Sequence, residues 1–241
     1  MTEKIDKLLI HIRQKLGDLN IPLPDGEYEY AALPLCVIDA VFSLGVRYES
    51  TWRTVCDWCA RYHWEKERAR AAEERTVTEF LHILQPYENR WEQMATDVFR
   101  NRQRTSTRSG ILKAEAVFRF AKTLQRFGVD TFADILKFGL RDDLRREIKS
   151  IPGQGSGLSF NYFLILAGNK DAVKADRMVT RFVANALGQR DVPQELAETL
   201  VREASRILRL EFPKLTPSLL DHAIWKYQRD QDDTVSKGCR S

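Results

Sequence analysis

Residues 149–181 read KSIPGQGSGLSFNYFLILAGNKDAVKADRMVTR, and this stretch decides the fold. Pro152 ends the helical pattern before it, because proline lacks a backbone N–H and disfavours helix in its neighbour. Gly153, Gly155 and Gly157 then let the main chain turn sharply, with its amides directed outward, and a second helical pattern follows. Exposed amides at the start of a helix attract phosphate, although such a turn also serves simply to join two helices.

The composition fits one large domain or two small lobes, because 43% of the 241 residues are hydrophobic and can form a core. The formal net charge of +4 is too small to identify a partner. Between residues 100 and 126, however, eight basic residues stand against the single acid Glu115. This strip fits either a phosphate-facing surface or a solvated helix face.

No apolar run is long enough for a signal sequence or a membrane span, so we expect a cytoplasmic protein without membrane association. Cys56 and Cys59 form an isolated CDWC motif without a second Cys or His pair, and we interpret them as packing residues. The four histidines are scattered without ligand spacing. We therefore expect no metal site built from side chains.

Apolar residues recur at three- and four-residue spacings along nearly the whole chain, and no alternating strand pattern is present. The sequence predicts an all-α fold with helices around 5–16, 35–44, 51–62, 77–84, 91–99, 112–127, 131–138, 141–149, 158–167, 177–187, 194–210 and 217–228. The balanced charges of 63–75 favour an exposed helix or an extension between lobes. Residues 101–110 are expected to form a loop, and 230–241 a disordered tail.

The run LRREIKSIPGQGSGLSFNYFLILAG followed by DAVKADRMVTRFV resembles the helix-hairpin-helix (HhH-GPD) DNA glycosylase superfamily. The family's hairpin has the form (L/I)PGxGxxxA, with an aspartate in a V-x-x-D-x-x-V context downstream, where Asp176 stands here. PLCVIDAVFSLGVRYESTWRTV, ILKAEAVFRFAKTLQRFG and LLDHAIWKYQ resemble other helices of the family in the right order. The resemblance implies one two-lobed domain over 1–229 with a DNA cleft between its lobes. One lobe would comprise about 34–145, and the other the N-terminal helix plus 146–229.

The resemblance also implies an activity, namely release of a modified or damaged base after the nucleotide is flipped out of the duplex. Asp176 would be the catalytic carboxylate, and it also suits a helix N-cap. The hairpin would bind the DNA backbone, with a monovalent cation as a further ligand of its main chain. Its residues are Gly153, Gln154, Gly155, Ser156 and Gly157.

Other candidate residues have weaker support. Accessory phosphate contacts are assigned to Lys174, Arg102, Arg104 and Arg108. Arg47 and Tyr48 suit a wedge that fills the gap left by the flipped base, or an anchor for their own loop. Phe160, Tyr162 and Trp225 are candidates for the base pocket because aromatic rings stack on bases.

Departures from the family refine the expected chemistry. Bifunctional members carry a lysine nucleophile where this chain has Gly157, so we expect a monofunctional enzyme that uses water and leaves an abasic site. The four-cysteine loop of some branches is absent, so no iron–sulfur cluster is expected. The substrate would be a DNA lesion or a hypermodified base, such as a glucosylated base of phage DNA. The enzyme is expected to act on duplex DNA as a monomer. The alternatives are an inactive HhH DNA-binding module and an all-helical protein-interaction scaffold without salt-dependent affinity for DNA.

Overall fold

The computed structural model describes residues 1–19, 29–107, 109–138 and 141–238. Within these ranges the chain is helical and contains no β-strand, which confirms the all-α prediction. The α-helices are α1 (Thr2–Leu16), α2 (Leu33–Phe42), α3 (Tyr48–Tyr62), α4 (Val77–Leu84), α5 (Trp91–Gln93), α6 (Lys113–Arg126), α7 (Phe132–Phe138), α8 (Asp142–Ser150), α9 (Leu158–Leu166), α10 (Arg177–Leu187), α11 (Gln194–Leu208) and α12 (Pro217–Gly238). None of these helices has both the length and the apolar content needed to cross a bilayer.

The chain divides into two units. The first joins Met1–Leu23 to Asn169–Ser241, and the second is Pro24–Gly168. In the first unit α1 packs against α10, α11 and α12. The apolar stripe of α1 supplies this contact through its buried residues Ile5, Leu8, Leu9 and Ile12.

The second unit is built around α2, all ten residues of which are buried. A helix that is apolar on every side is stable only when other elements surround it. Here α3, α6 and α9 pack around α2. The family resemblance implied that 146–168 belongs to the lobe of the N-terminal helix, whereas the structure groups this segment with the second unit. The reason is that α9 is rich in apolar residues, most of them buried, and packs against α2.

Lys113, the first residue of α6, is a buried cation that ties α6 to the end of α2. The residue is only 1% exposed. Its Nζ donates hydrogen bonds of 2.8 Å to the carbonyls of Phe42 and Leu44, and one of 3.2 Å to Oε1 of Gln103. Burial lowers its pKa to about 8. One of the eight basic residues of the strip is therefore internal and cannot meet phosphate.

The charged segment 63–75 does not form the exposed α-helix that was one of its two expected forms. It contains only a short 3-10 turn at Arg68–Arg70. The Lys66 amine lies 3.6 Å from the ring centroid of Trp52, and the Arg68 guanidinium lies 3.8 Å from that of Phe132. Cation–π contacts of this kind hold the segment along the second unit.

The tail expected to be disordered from residue 230 is instead helical as far as Gly238, because α12 continues. Two side chains of this helix contact Arg181 on α10. The Arg181 Nε donates to Oε1 of Gln228 at 2.6 Å, and its Nη2 pairs with Oδ1 of Asp232 at 2.9 Å. These contacts stabilise the extension, while 239–241 lie outside the described residues.

Candidate functional site

The hairpin predicted from IPGQGSG lies between α8 and α9 in the second unit. Two backbone hydrogen bonds define its turns, from the Gln154 amide to the Ile151 carbonyl at 2.9 Å and from the Gly157 amide to the Gln154 carbonyl at 2.9 Å. Gly153 has φ +83° and Gly157 has φ +77°, a region that glycine adopts without strain. The turn therefore depends on these two glycines.

The outer surface of the hairpin carries two backbone amides suited to an anion. Gly153 and Gly155 are exposed. Their N–H groups have no hydrogen-bond partner within the part of the chain that the structure describes. Backbone amides that are not bonded within the protein can bind phosphate oxygens.

Gln154 was predicted to bind the DNA backbone as part of the hairpin, but its amide already donates to the Ile151 carbonyl and its side chain is turned inward. The residue is 0% exposed. Its Nε2 and Oε1 are both buried without a hydrogen-bond partner among the described residues. Its backbone shapes the turn, but its side chain cannot reach a bound nucleic acid.

Two residues beside the hairpin were missed by the sequence analysis. A Cβ built on Gly153 would lie 2.2 Å from the Cβ of Thr105, so the 101–110 loop packs directly against the turn. A Cβ built on Gly157 would lie 3.5 Å from the Cδ of Lys149, so the alkyl chain of this exposed lysine crosses that glycine. Lys149 stands in the last turn of α8, directly before the hairpin, so its position in the sequence could have predicted a positive charge beside these glycines.

The basic residues between 100 and 126 do not form a free phosphate-facing strip. Glu92 pairs with both Arg102, at 3.0 Å, and Arg104, at 2.9 Å. Further ion pairs join Arg119 to Glu115 at 2.6 Å, Lys122 to Glu88 at 2.8 Å and Arg126 to Glu147 at 2.5 Å. Because exposed ion pairs contribute little stability, Arg102 and Arg104 can exchange Glu92 for phosphate at small cost. Arg108 lies outside the described residues.

Asp176, in the first unit, is the N-cap of α10. Its Oδ1 accepts hydrogen bonds from the backbone amides of Met178 at 2.8 Å and Val179 at 3.3 Å. The expected capping role is therefore confirmed. Both bonds use Oδ1, so the cap leaves Oδ2 for other contacts, and the residue is only half-buried.

The segment before Asp176 makes a tight turn. The Asp176 amide donates to the carbonyl of Lys174 at 2.6 Å. Val173 and Ala175 on either side of Lys174 are buried. The backbone amide of Lys174 donates to the carboxyl of Asp221 on α12. Asp221 is a second acidic residue near Asp176, and the sequence analysis did not identify it.

The three aromatic candidates for the base pocket differ in accessibility. Phe160 is 1% exposed and packs among Phe120 and Phe163, so its ring lies in the core and not at an accessible surface. Helical periodicity placed it on an apolar face but could not show how deeply that face is buried. Tyr162 is half-buried. Trp225 is also half-buried, and the guanidinium of Arg229 lies 4.8 Å from its ring centroid.

The wedge candidates lie at the start of α3, in the second unit. Arg47 is exposed and is the N-cap residue of this helix. Tyr48 is half-buried, with its hydroxyl oxygen buried and its ring 6.4 Å from that of Trp52. This favours the anchoring alternative for Tyr48 and leaves Arg47 as the residue able to meet DNA.

No group of three or more His, Cys, Asp or Glu side chains within the described ranges has the arrangement of a metal site. The monovalent cation expected at the hairpin main chain remains a prediction.

A family comparison covers almost the whole chain, including the hairpin, Asp176 and Asp221. A family model described as "Domain of unknown function (DUF8548)" matches residues 6–229. The chain belongs to this family. The match spans both units, so the family includes the two together. No curated protein and no solved structure matches the chain.

Proposed function

We propose that this DUF8548 protein is a monofunctional DNA glycosylase of the two-lobed HhH-GPD type. The observation that carries the proposal is a turn between two helices in which the exposed residues Gly153 and Gly155 have backbone amides with no hydrogen-bond partner among the described residues. Such a turn grips a DNA strand by its phosphates without reading sequence. Lys149, Arg102 and Arg104 lie on the same unit and can supply further positive charge to the backbone.

The chemistry of base release requires a carboxylate at the sugar. The target nucleotide leaves the stack, because its glycosidic bond is out of reach inside the duplex. As that bond breaks, positive charge develops on the deoxyribose, and an ionised carboxylate stabilises it and orients the attacking water. Asp176 takes this role through Oδ2, while Oδ1 remains in the α10 cap.

The product is an abasic site rather than a cleaved strand. Gly157 itself offers no amine for a covalent intermediate, so we propose water as the nucleophile, and trapping with borohydride tests whether the nearby Lys149 acts instead. The substrate is a modified base, either a lesion or a hypermodified base in foreign DNA. In the second setting the protein would act in defence against phage.

A second candidate function is an inactive DNA-binding module with the same hairpin. One observation favours it: the cap of α10 alone already accounts for an aspartate at position 176. The module would bind DNA through the hairpin and the arginines of the 101–110 loop, but it would release no base.

An oligonucleotide screen distinguishes the two. Duplexes bearing alkylated, oxidised, deaminated or glucosylated bases are incubated with the protein, then heated in alkali to break the strand at abasic sites. We expect breaks with one substrate class, and no covalent adduct on borohydride treatment. Tight binding without breaks across the whole panel would favour the module.

Asp176→Asn is the matched control for this screen. Asparagine caps a helix about as well as aspartate, so this variant should keep its stability and DNA affinity while losing base release. Asp176→Ala should lose base release and also about 1 kcal/mol of unfolding free energy, because the cap is lost. Full base release by Asp176→Asn would exclude the catalytic role.

A further inference from the structure

Asp221 is a buried carboxyl group in the second turn of α12, and the proposed mechanism does not use it. The residue is 7% exposed, and its neighbours Leu220 and Ile224 are fully buried. Its Oδ1 is buried and has no hydrogen-bond partner among the described residues. Buried polar groups are nearly always hydrogen-bonded, so an exception in the same unit as Asp176 requires an explanation.

The position of Asp221 connects α12 to the segment that carries Asp176. Its carboxyl group accepts a hydrogen bond from the backbone amide of Lys174. The carbonyl of the same residue accepts the Asp176 amide at 2.6 Å. The Lys174 peptide is thus held by the Asp221 carboxyl group at its amide and by the Asp176 backbone amide at its carbonyl. Loss of the Asp221 contact would release the backbone that leads into Asp176.

The charges around Asp221 favour its protonated form. Burial raises its pKa well above the usual range, and the negative charge of Asp176 adds to this. The Lys174 amine and amide lower the pKa of Asp221, whereas the negative charge of Glu198 on α11 raises it, as that of Asp176 does. Glu198 is itself paired with Arg202 at 2.9 Å. An uncharged acid can be buried at much lower cost than a carboxylate.

We propose that Asp221 is a positioning residue that holds the Lys174 peptide, and through it Asp176, by means of an uncharged carboxyl group. A neutral group fixes the turn without placing a second negative charge beside Asp176. The consequence for catalysis rests on the proposed function. The connection between α12 and the Lys174–Asp176 turn does not.

The first test compares Asp221→Asn with Asp221→Leu by amide hydrogen exchange. Asparagine keeps an acceptor oxygen without a charge, whereas leucine keeps the branched shape at Cγ but cannot accept the Lys174 bond. We expect faster exchange over residues 172–179 in Asp221→Leu and near-wild-type protection in Asp221→Asn. Wild-type protection in Asp221→Leu would overturn the positioning role. Equal loss in both variants would overturn the uncharged form.

The second test follows stability against pH and holds even when Asp221→Leu does not fold. The folded state binds the Asp221 proton more tightly than the unfolded state, in which the pKa is about 4. The stability from this proton is complete below that pH and is lost as the pH rises towards the raised folded value. The unfolding temperature of the wild type, relative to Asp221→Asn, should therefore fall as the pH increases above about 4. A difference that stays constant or rises would overturn the proposal.

The third test connects the residue to catalysis. Once a substrate is found, Asp221→Leu should release the base at least about tenfold more slowly, because a displaced carboxylate stabilises the sugar cation poorly. Asp221→Asn should recover most of this loss, and unaltered release by Asp221→Leu would overturn the catalytic consequence. If no duplex in the panel releases a base, the glycosylase proposal fails, while exchange and unfolding still decide the role of Asp221.

Discussion

Gln154 lies at the centre of the hairpin, yet its side chain is buried and lacks a hydrogen-bond partner within the described ranges. A residue between two glycines looks exposed in the sequence, because the turn itself is at the surface. The turn alternates, however, with Gly153 and Gly155 outside and Gln154 inside. The side-chain amide of Gln154 therefore does not contact DNA, and its burial without a partner lowers the stability of the folded state.

Replacing Gln154 with leucine should stabilise the protein. Leucine removes the cost of burying an unpaired amide, and we expect a gain of about 1 kcal/mol in unfolding free energy, measured by denaturant titration. Gln189→Leu, at an exposed position, is the control and should change stability by less than about 0.5 kcal/mol. A loss of stability in Gln154→Leu would mean that the amide has a partner, such as a bound water molecule.

At the scale of elements, the two exposed glycines of the hairpin differ, because the turn requires a positive φ at Gly153 but not at Gly155. Gly153→Ala should weaken DNA binding at least about tenfold, because alanine disfavours positive φ and its Cβ would overlap Thr105. Gly155→Ala is the matched control. Its φ is not in the left-handed region, and the nearest atom to a new Cβ is the Lys149 carbonyl oxygen at 3.9 Å. Fluorescence anisotropy with a labelled duplex measures both, and equal affinities would argue against the amide grip.

The 101–110 loop should bind DNA more strongly when Glu92, the partner of its arginines, loses its charge. Glu92→Gln releases Arg102 and Arg104 from their ion pairs and should raise the affinity for duplex DNA. It should also steepen the dependence of log Kd on log salt concentration by about one to two units, since each phosphate contact releases counterions. Glu203→Gln frees Arg206 in the other unit and serves as the control. An unchanged slope in Glu92→Gln would place the loop away from DNA.

Local patterns predicted the elements well, and long-range partners explain the failures. The helices at Val77–Leu84 and Arg177–Leu187 have the predicted bounds, because capping and apolar spacing are local signals. The course of 63–75 could not be predicted, since Arg68 contacts Phe132, which is distant in the sequence. For the same reason the count of basic residues overestimated the free charge, because Glu147, the partner of Arg126, lies outside the counted window.

The candidate site was predictable only in part. A polar residue before an apolar helical pattern indicated the Asp176 cap directly. Asp221 gave no such signal, because an acid on an amphipathic helix is ordinarily solvated. Its burial depends on the packing of α12 against the rest of the first unit.

At the scale of the whole molecule, the second unit is one continuous segment, Pro24–Gly168, with its own buried helix α2. We expect a fragment of residues 24–168 to fold cooperatively by circular dichroism and to retain salt-dependent DNA affinity through the hairpin. It should release no base from any substrate, because Asp176 belongs to the other unit. A fragment without a cooperative unfolding transition would show that the second unit requires the first unit for its stability.

The first unit is discontinuous, which affects the order of events during synthesis on the ribosome. Helix α1 emerges with its apolar stripe complete, but its partners α10, α11 and α12 follow only after about 160 further residues. At translation rates of roughly 5–20 residues per second, that stripe stays uncovered for on the order of ten seconds. The second unit can form in that interval. Until the last helices leave the exit tunnel, the apolar stripe of α1 must be covered by other parts of the nascent chain or by a chaperone.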